Sequence, residues 1–230
     1  RSMGSGSVCA YLVGVGEGAV CPVPDDSHGQ EQRTDYQEHH SQTSHGAQSS
    51  RSDPASVRIG PHYPGGMPRP ATPGDAQALS RLAGRTFPAA CPPDTPAEAI
   101  AAHIATQLSP QQFLADMAQT EIFVVDSGDE LSGYLMLAFG TPPIATTWRD
   151  PIELRRIYVD APGSGVATQL MATALEQAIG HDVIWLGTNE LNARAIRFYE
   201  KHGFTIVGNR TFVVGGVEEA DYVMARTVDS

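Results

Sequence analysis

Ile152-Glu-Leu-Arg-Arg-Ile-Tyr-Val-Asp160, followed by Pro162-Gly-Ser-Gly-Val-Ala167, is the stretch on which the fold turns. Its first part alternates as a strand does, and Pro162 and Gly163 break it. Val166 then opens a run in which Ala167, Leu170, Met171, Ala174, Leu175 and Ala178 fall at helical spacing, one stripe of an amphipathic helix. A strand, a glycine turn and a helix start, in that order, can form an anion site. Unpaired N–H groups of the first helical turn point outward, the macrodipole favours negative charge there, and glycine lets the chain approach a diphosphate closely. G-x-G before a helix also occurs in plain loops, so the turn alone leaves both readings open.

A second segment, Asn192-Ala-Arg-Ala-Ile-Arg-Phe-Tyr-Glu-Lys-His-Gly-Phe204, begins 25 residues beyond Ala167. Asn192 and Tyr199 are about two helical turns apart, so an amide and a phenol project from nearly one face, with Ala195 and Ile196 between them. That face can line a groove; alternatively Asn192 is a helix N-cap and Tyr199 a core residue. Gly203 suits a left-handed C-terminal cap, and Phe204-Thr-Ile-Val reads as a returning strand.

Working outward, a short proline-bounded strand is predicted near 67–71, a helix over 73–87 with Asp75 in its first turn, and helices near 96–107 and 110–119. Strands follow at 121–126 and 131–139, joined by a Ser-Gly-Asp-Glu turn. Residues 141–150 form a loop and 152–160 the central strand. The turn's helix runs to 179, a strand covers 182–187, and the last helix covers 192–202. Strands at 204–214 and 221–227 close as an antiparallel hairpin around Gly215 and Gly216. The order is that of a mixed α/β sheet with helices on both faces.

These residues resemble the GNAT superfamily of acetyl-CoA-dependent N-acetyltransferases. Its phosphate loop, Q/R-x-x-G-x-G/A, is matched by Pro162-Gly-Ser-Gly-Val-Ala167, with proline where the family prefers Gln or Arg. That departure removes a side chain and keeps the backbone donors. Similarity extends through Glu-Leu-Arg-Arg-Ile-Tyr-Val, Asn-x-x-Ala-x-x-Phe-Tyr-x-x-x-Gly-Phe and Asp221-Tyr-Val-Met-Ala225, and covers about residues 67–228. Arg69-Pro-Ala-Thr-Pro-Gly-Asp75 looks like the family's first strand and helix. The phrasing Glu-Leu-x-Arg-Ile-Tyr-Val, with Phe212-Val-Val-Gly and Asp221-Tyr-Val-Met, looks closest to the spermidine/spermine acetyltransferase-like branch.

The resemblance implies a mostly antiparallel sheet of six to seven strands flanked by helices, with two splayed strands admitting coenzyme A. It implies that Pro162, Gly163, Ser164, Gly165, Val166, Ala167 and Thr168 surround the diphosphate. The backbone of Ile157, Tyr158 and Val159 would follow the pantetheine arm, the N–H of Ile157 or Val159 polarising the thioester carbonyl, and Asn192 would bond the same arm. The donor would be acetyl-CoA and no metal is needed. The family usually passes the acetyl group directly to the amine, so Cys91 has no nucleophilic part, and a homodimer is common among similar proteins.

An alkylammonium with pKa near 10.4 is almost wholly protonated at pH 7, and an amine attacks a thioester only when neutral, so a base or proton wire is required. Glu153 is the candidate, at the position matching a glutamate that some family members use through water; the competing reading is an exposed carboxylate paired with Arg155. Tyr199 matches the general acid that protonates the departing thiolate, and it also touches the cofactor. By analogy of position, the loops 87–96 and 141–150, with Tyr134, Trp148 and Tyr158, wall the acceptor pocket, where aromatic rings could hold a cationic amine. Core packing is the alternative for Tyr134 and surface exposure for Trp148. His103, His181 and His202 carry no motif and receive no role. The rival function is a catalytically silent acyl-CoA-binding sensor or interaction module of the same fold.

Composition agrees with one enzyme domain, 61–230, preceded by an extension, 1–60. The extension is dense in Ser, Gln, Gly, His and Asp and cannot bury enough apolar surface to offset its ordering entropy, so disorder is expected. Its first seven residues read as a vector-derived scar or a mis-set start. The apolar stretch from Cys9 to Cys21 is interrupted by Glu17 and glycines, which argues against a signal peptide or membrane span. Cys9, Cys21, His28, His39, His40 and His45 lack the spacing of a zinc site. Three cysteines without a pairing pattern point to a reducing cytoplasm. The net charge of −11, with 19 acidic against 11 basic residues in 61–230, argues against a nucleic-acid partner. It mildly favours a cationic acceptor such as a polyamine, although solubility explains an acidic surface equally well.

Overall fold

Runs with period 2 become strands and runs with period 3.6 become helices, in the predicted order. A computed structural model describes residues 66–140 and 142–228. The extension 1–60, with its cysteines and histidines, lies outside the described residues. The elements are β1 (Arg69–Pro70), α1 (Ala76–Thr86), α2 (Ala97–Gln107), α3 (Pro110–Met117), β2 (Thr120–Ser127), β3 (Glu130–Phe139), β4 (Pro151–Val159), α4 (Val166–Gln177), β5 (Val183–Asn189), α5 (Ala193–Lys201), β6 (Thr205–Val214) and β7 (Val217–Thr227). Among the described residues no helix is long and apolar enough to cross a membrane.

Local chemistry sets the boundaries. The predicted helix at 73–87 starts as a 3₁₀ turn, Pro73–Asp75, where the Asp75 carboxylate accepts from Thr72 N at 2.7 Å. Arg69 from β1 joins that carboxylate to Asp126 of β2, with ion pairs of 2.9 and 2.8 Å, and this fastens the first helix to the sheet edge. Ser109 caps α3 by accepting from Gln112 N at 3.2 Å. The final hairpin turns at Gly215 and Gly216, as predicted, but β7 begins at Val217, four residues earlier than the apolar pattern alone indicates.

The strands form one seven-stranded sheet in the order β1-β2-β3-β4-β5-β7-β6. All neighbours are antiparallel except β4 and β5. On one face Leu79 and Leu82 of α1, Phe87 just beyond its end and Phe113 of α3 pack against Tyr134, Met136 and Tyr158. On the other, Leu170, Met171, Ala195 and Tyr199 of α4 and α5 cover Leu154, Ile157, Val159 and Leu186. Each layer removes a continuous apolar face from water, the term that holds such a sheet together.

Strand β4 changes parity halfway. Its register against β3 slips between Met136 and Leu137, so that Arg156 pairs with Met136 but Leu154 pairs with Leu137, and Arg155 is the extra residue of a bulge. Ile152, Leu154, Ile157 and Val159 therefore share the α4/α5 face. Arg156 goes to the opposite face, where it meets Asp116 at 3.1 Å and lies over the Phe113 ring.

β4 and β5 pair only at Pro151↔Val183, Ile152↔Ile184 and Glu153↔Trp185, although β4 continues to Val159 and β5 to Asn189. Beyond Glu153 the two strands part.

Candidate active site

The parting of β4 from β5 is where the residues singled out in the sequence collect. On its other edge β4 stays bonded to β3: Asp160 N donates to Ser132 O at 2.9 Å, and the Tyr158 carbonyl faces Gly133. Alternation along the strand turns the N–H groups of Ile157 and Val159 toward the gap, where β5 no longer pairs with them. Both N–H groups are therefore open to a ligand lying in the gap. Tyr158 is not so placed: its ring is wholly buried against Tyr134, 5.3 Å between centroids, and its main chain turns to β3. The cofactor contact expected of Tyr158, and the acceptor wall expected of Tyr134 and Tyr158, give way to core packing because the bulge sends Tyr158 to the α1/α3 face.

At the mouth of the gap the chain reverses through Pro162, Gly163 and Ser164. Gly163 and Gly165 take φ of 78° and 86°, a region that costs any other residue strain, and Gly165 is the N-cap of α4. Ser164 folds back, its Oγ donating to Ala161 O at 2.7 Å. The N–H groups of Gly163, Gly165 and Ala167 meet no acceptor among the described residues, and Val166 N reaches only Ser164 Oγ at 3.5 Å. Thr168 N is spent on the Gly165 carbonyl at 3.1 Å, so Thr168 offers its exposed side chain rather than its amide. A methyl group added to Gly163 would meet nothing within 4 Å, which leaves that side of the turn open.

The turn forms one wall of a cavity of about 380 Å³ whose other wall is α5, presenting Arg194, Arg197, Phe198 and Lys201. The three cations received no role from the sequence, although their i, i+3, i+7 spacing in the quoted segment was the available signal.

Helix α5 is fixed at both ends by the residues predicted to fix it. Asn192 is the N-cap, its Oδ1 accepting from Ala195 N at 3.0 Å, so the capping reading holds and only its NH₂ group remains to offer a ligand. At the other end Gly203 has φ of 85°; Gly203 N donates to Glu200 O at 2.9 Å and Phe204 N to Tyr199 O at 3.1 Å, the paired bonds of a Schellman cap. The cap holds Tyr199 by its own carbonyl. Its ring is wholly buried between Phe198 and Phe204, on the α4/α5 face with Ile157 and Val159.

Glu153 is on the other face, at the last paired position before the gap. The exposed carboxylate of the competing reading is not found: Glu153 is 3% exposed, and its Oε2 accepts from Arg155 Nε and Nη2 at 3.0 and 2.9 Å. Pairing with Arg155 and burial occur together. Its Oε1 stands 4.0 Å from Nη1 of Arg210, whose Nε donates to Asp221 at 3.3 Å. The Arg210 guanidinium lies over the rings of Trp185 and Phe212 and fills the space above Gly187, where any Cβ would overlap it.

Beyond Arg210 opens the larger cavity, about 520 Å³, between α2 and β6, lined by His103, Thr106, Gln107, Pro143, Arg210 and Phe212 among others. His103 stacks on Phe87, 4.4 Å between centroids and 9° between planes, and its Nε2 has no hydrogen-bond partner among the described residues. Burial, with Arg156 nearby, lowers its pKa to about 4, so the imidazole is neutral at pH 7. The acceptor walls expected at 87–96 and 141–150 are represented here by Pro143 alone; Trp148 packs instead against Val183, Trp185, Val223 and Ala225. Cys91 is a free thiol that burial pushes up to about 12, so it carries no thiolate at neutral pH.

Buried polar groups cost about 1–3 kcal/mol each when unpaired. On β5, Trp185 Nε1, Thr188 Oγ1 and Asn189 Nδ2 are buried and without partners among the described residues. The amides of the turn and the open edge of β4 outline a cleft that fits a long ligand with phosphates at one end and amides along its length.

Residues 77–204 match the Acetyltransferase (GNAT) family. This chain belongs to that family. An uncharacterized N-acetyltransferase of Mycobacterium tuberculosis is 39% identical over 158 residues, 66% of this chain and 97% of the relative. An uncharacterized N-acetyltransferase of Lactobacillus delbrueckii is 28% identical over 103 residues, 43% of this chain and 60% of the relative. Among solved structures, the PaiA N-acetyltransferase of Thermoplasma acidophilum in complex with coenzyme A superposes with a TM-score of 0.57 at 17% identity, covering 70% of this chain and 97% of that one. NAA60 of Arabidopsis thaliana in complex with a bisubstrate analogue gives 0.52 at 16% identity, covering 70% and 97%. At such identities the fold is what is shared, and it is the GNAT fold. The protein is a GNAT N-acetyltransferase, and that fold supports acetyl-CoA as its cosubstrate.

Proposed function

We propose that this GNAT enzyme passes the acetyl group of acetyl-CoA directly to the primary amine of a small acceptor held against α2 and β6. The observation that carries this reading is the open edge of β4. It leads from a turn with unpaired amides, past the N–H groups of Ile157 and Val159, to a gap with Tyr199 on one face of the sheet and Glu153 on the other. A thioester lying in that gap meets backbone donors at its carbonyl, where negative charge develops as the amine adds. Glu153, at the last paired position, takes the proton of the incoming ammonium, directly or through water. Tyr199 gives a proton to the sulfur as the carbon–sulfur bond breaks. The free amides of Gly163, Gly165 and Ala167, with the weakly held one of Val166, bind the diphosphate, Pro162 and Ser164 shape the turn, Thr168 adds its hydroxyl, and the Asn192 NH₂ group serves the arm between.

The acceptor is a monoamine with a largely uncharged remainder, in preference to a polyamine or a peptide. Among the described residues the cavity beyond Arg210 has no Asp or Glu in its lining, and the carboxylates of Glu153 and Asp221 already face Arg210, so the further ammonium groups of spermidine would find no counter-charge there. His103 and Phe212 offer aromatic surface in their place.

Thiol release from acetyl-CoA, followed against arylalkyl monoamines, spermidine, aminoglycosides and N-terminal peptides, tests both statements. Turnover of a monoamine with kcat/KM at least tenfold above that of spermidine is expected; preferred turnover of spermidine would refute the acceptor assignment. The hold of Arg155 on Glu153 favours one other reading, a silent acyl-CoA-binding module. Tight cofactor binding with no release for any amine would select it.

A further inference from the structure

We infer that His103 is a specificity residue of the acceptor cavity: its imidazole hydrogen-bonds a hydroxyl on the uncharged end of the amine, so that this enzyme prefers hydroxylated monoamines to their plain analogues. The inference rests on the reading that the cavity between α2 and β6 holds the acceptor.

His103 is only 4% exposed, yet it lines a cavity of about 520 Å³. Of the buried side-chain polar atoms that find no partner among the described residues, its Nε2 alone belongs to a residue lining this cavity. The other polar side chains of the lining are engaged or face solvent. Thr106 Oγ1 donates to Ala102 O at 2.8 Å, Gln107 and Thr211 are exposed, and Arg210 is held by Asp221 at 3.3 Å. As packing alone the imidazole is a poor choice. Its flat stack on Phe87 and its edge contact with Phe212, 6.1 Å between centroids, are contacts that a phenyl ring makes equally well with no polar atom to desolvate. A ligand atom that pairs with the nitrogen removes that cost, and an analogue lacking the atom restores it, which is how a buried unpaired group becomes selective.

Charge and hydrogen-bonding capacity narrow the partner to a hydroxyl. Burial and the nearby Arg156 keep the imidazole neutral at pH 7, so it offers no counter-charge to a carboxylate or phosphate. The charge of Arg210 is already met by Glu153 and Asp221. A neutral imidazole has one donor and one acceptor nitrogen, and a hydroxyl, which both donates and accepts, pairs with either. The layout puts this hydroxyl at the end away from the amine. Arg210, whose Nη1 stands 4.0 Å from Glu153 Oε1, lies 5.8 Å from the centroid of the Phe212 ring that His103 also touches. An amine beside Glu153 therefore runs its remainder along Phe212 toward His103. That wall is fixed, because Gly215 of the hairpin comes so close to α2 that any Cβ there would overlap the Ala99 backbone.

Thiol release at saturating acetyl-CoA, on the full chain, tests this with two matched pairs, tyramine against phenethylamine and aminohexanol against hexylamine. In at least one pair the wild type should favour the hydroxylated amine by about tenfold or more in kcat/KM, through KM. His103→Phe, which keeps the stack, should abolish the preference by raising KM for the hydroxylated amine alone, with coenzyme A affinity held within about threefold. His103→Leu, a good helix former, repeats the test without a ring should phenylalanine unfold the chain. His103→Gln, whose amide returns a donor and an acceptor, should restore part of the preference. A purely structural role would move both amines of a pair together. Equal kcat/KM within both pairs for the wild type, or a preference that survives in His103→Phe and His103→Leu, would overturn the inference while leaving the monoamine reading intact. Preferred turnover of spermidine, or no release with any amine, would remove both.

Discussion

Tyr199 and His103 show what single residues contribute and how differently they announce themselves. Tyr199 is visible in the sequence because everything that places it is local: the Asn192 cap, the stripe through Ala195 and the Gly203 terminator all lie within thirteen residues. Tyr199→Phe should lower kcat by about 10²–10⁴-fold, the usual weight of one proton-transfer group, with little change in coenzyme A affinity. A matching loss of affinity would make the phenol a packing or binding group. His103 could not be read from sequence, because its partners Phe87 and Phe212 come from a helix end and a distant strand. Its titration is nonetheless measurable. Its folded pKa, about 4, is below the ordinary 6.5, so between those values the unfolded chain binds the extra proton. Its contribution is therefore complete above pH 6.5 and is lost as the pH falls through 4, a decline of up to about 3 kcal/mol. Asp75 and Asp126, whose carboxyls Arg69 holds below their usual range, act at still lower pH. His103→Phe keeps the stack on Phe87 and should flatten denaturant-measured stability between pH 6.5 and 4. An unchanged slope would assign that window to other groups.

At the scale of elements, two glycines separate the halves of the site. Gly163 takes φ of 78° with open space around it, so Gly163→Ala acts through the backbone alone. It should cost about 1–2 kcal/mol of stability and weaken coenzyme A by turning the amides of the loop. Lower stability with unchanged affinity would mean that the turn serves folding only. Gly187 has ordinary backbone angles but lies beneath the Arg210 guanidinium, so Gly187→Ala must push that side chain off Glu153, Trp185 and Asp221. A cost of about 1–3 kcal/mol and a raised KM for the amine are expected, with coenzyme A affinity held; the reverse pattern would detach Arg210 from the acceptor side. The turn was legible in the sequence, since strand, glycine and helix follow one another directly. The Arg210 cluster was not, since it needs the register of β5, β7 and β6 together. The bulge in β4 lies between these cases. The spacing Ile152, Leu154, Ile157, Val159 breaks strict alternation once, which is a bulge's signature, and the bulge is what places Tyr158 in the core instead of at the cleft.

Across the whole molecule the sheet is two sub-sheets sharing a short seam. β5 pairs with β7 along Val183–Asn189, yet meets β4 at only three residues. The helix order and the mixed sheet follow from periodicity, whereas the length of this seam does not, because no residue type marks where two apolar strands cease to pair. The seam has a consequence that amide hydrogen exchange can read. The amides of Tyr158 and Asp160 face β3 and are tied to it with or without ligand, while those of Ile157 and Val159 face the gap and have no β5 partner. Coenzyme A in the cleft supplies acceptors to the second pair alone. A ligand that binds only the folded state slows all globally exchanging amides by the same factor, so the informative quantity is the difference between the pairs. Ile157 and Val159 should slow by at least tenfold more than Tyr158 and Asp160 when the nucleotide is added. Uniform slowing of all four would show that the ligand stabilises the fold without entering the gap, and the open edge of β4 would then lose its place in the mechanism.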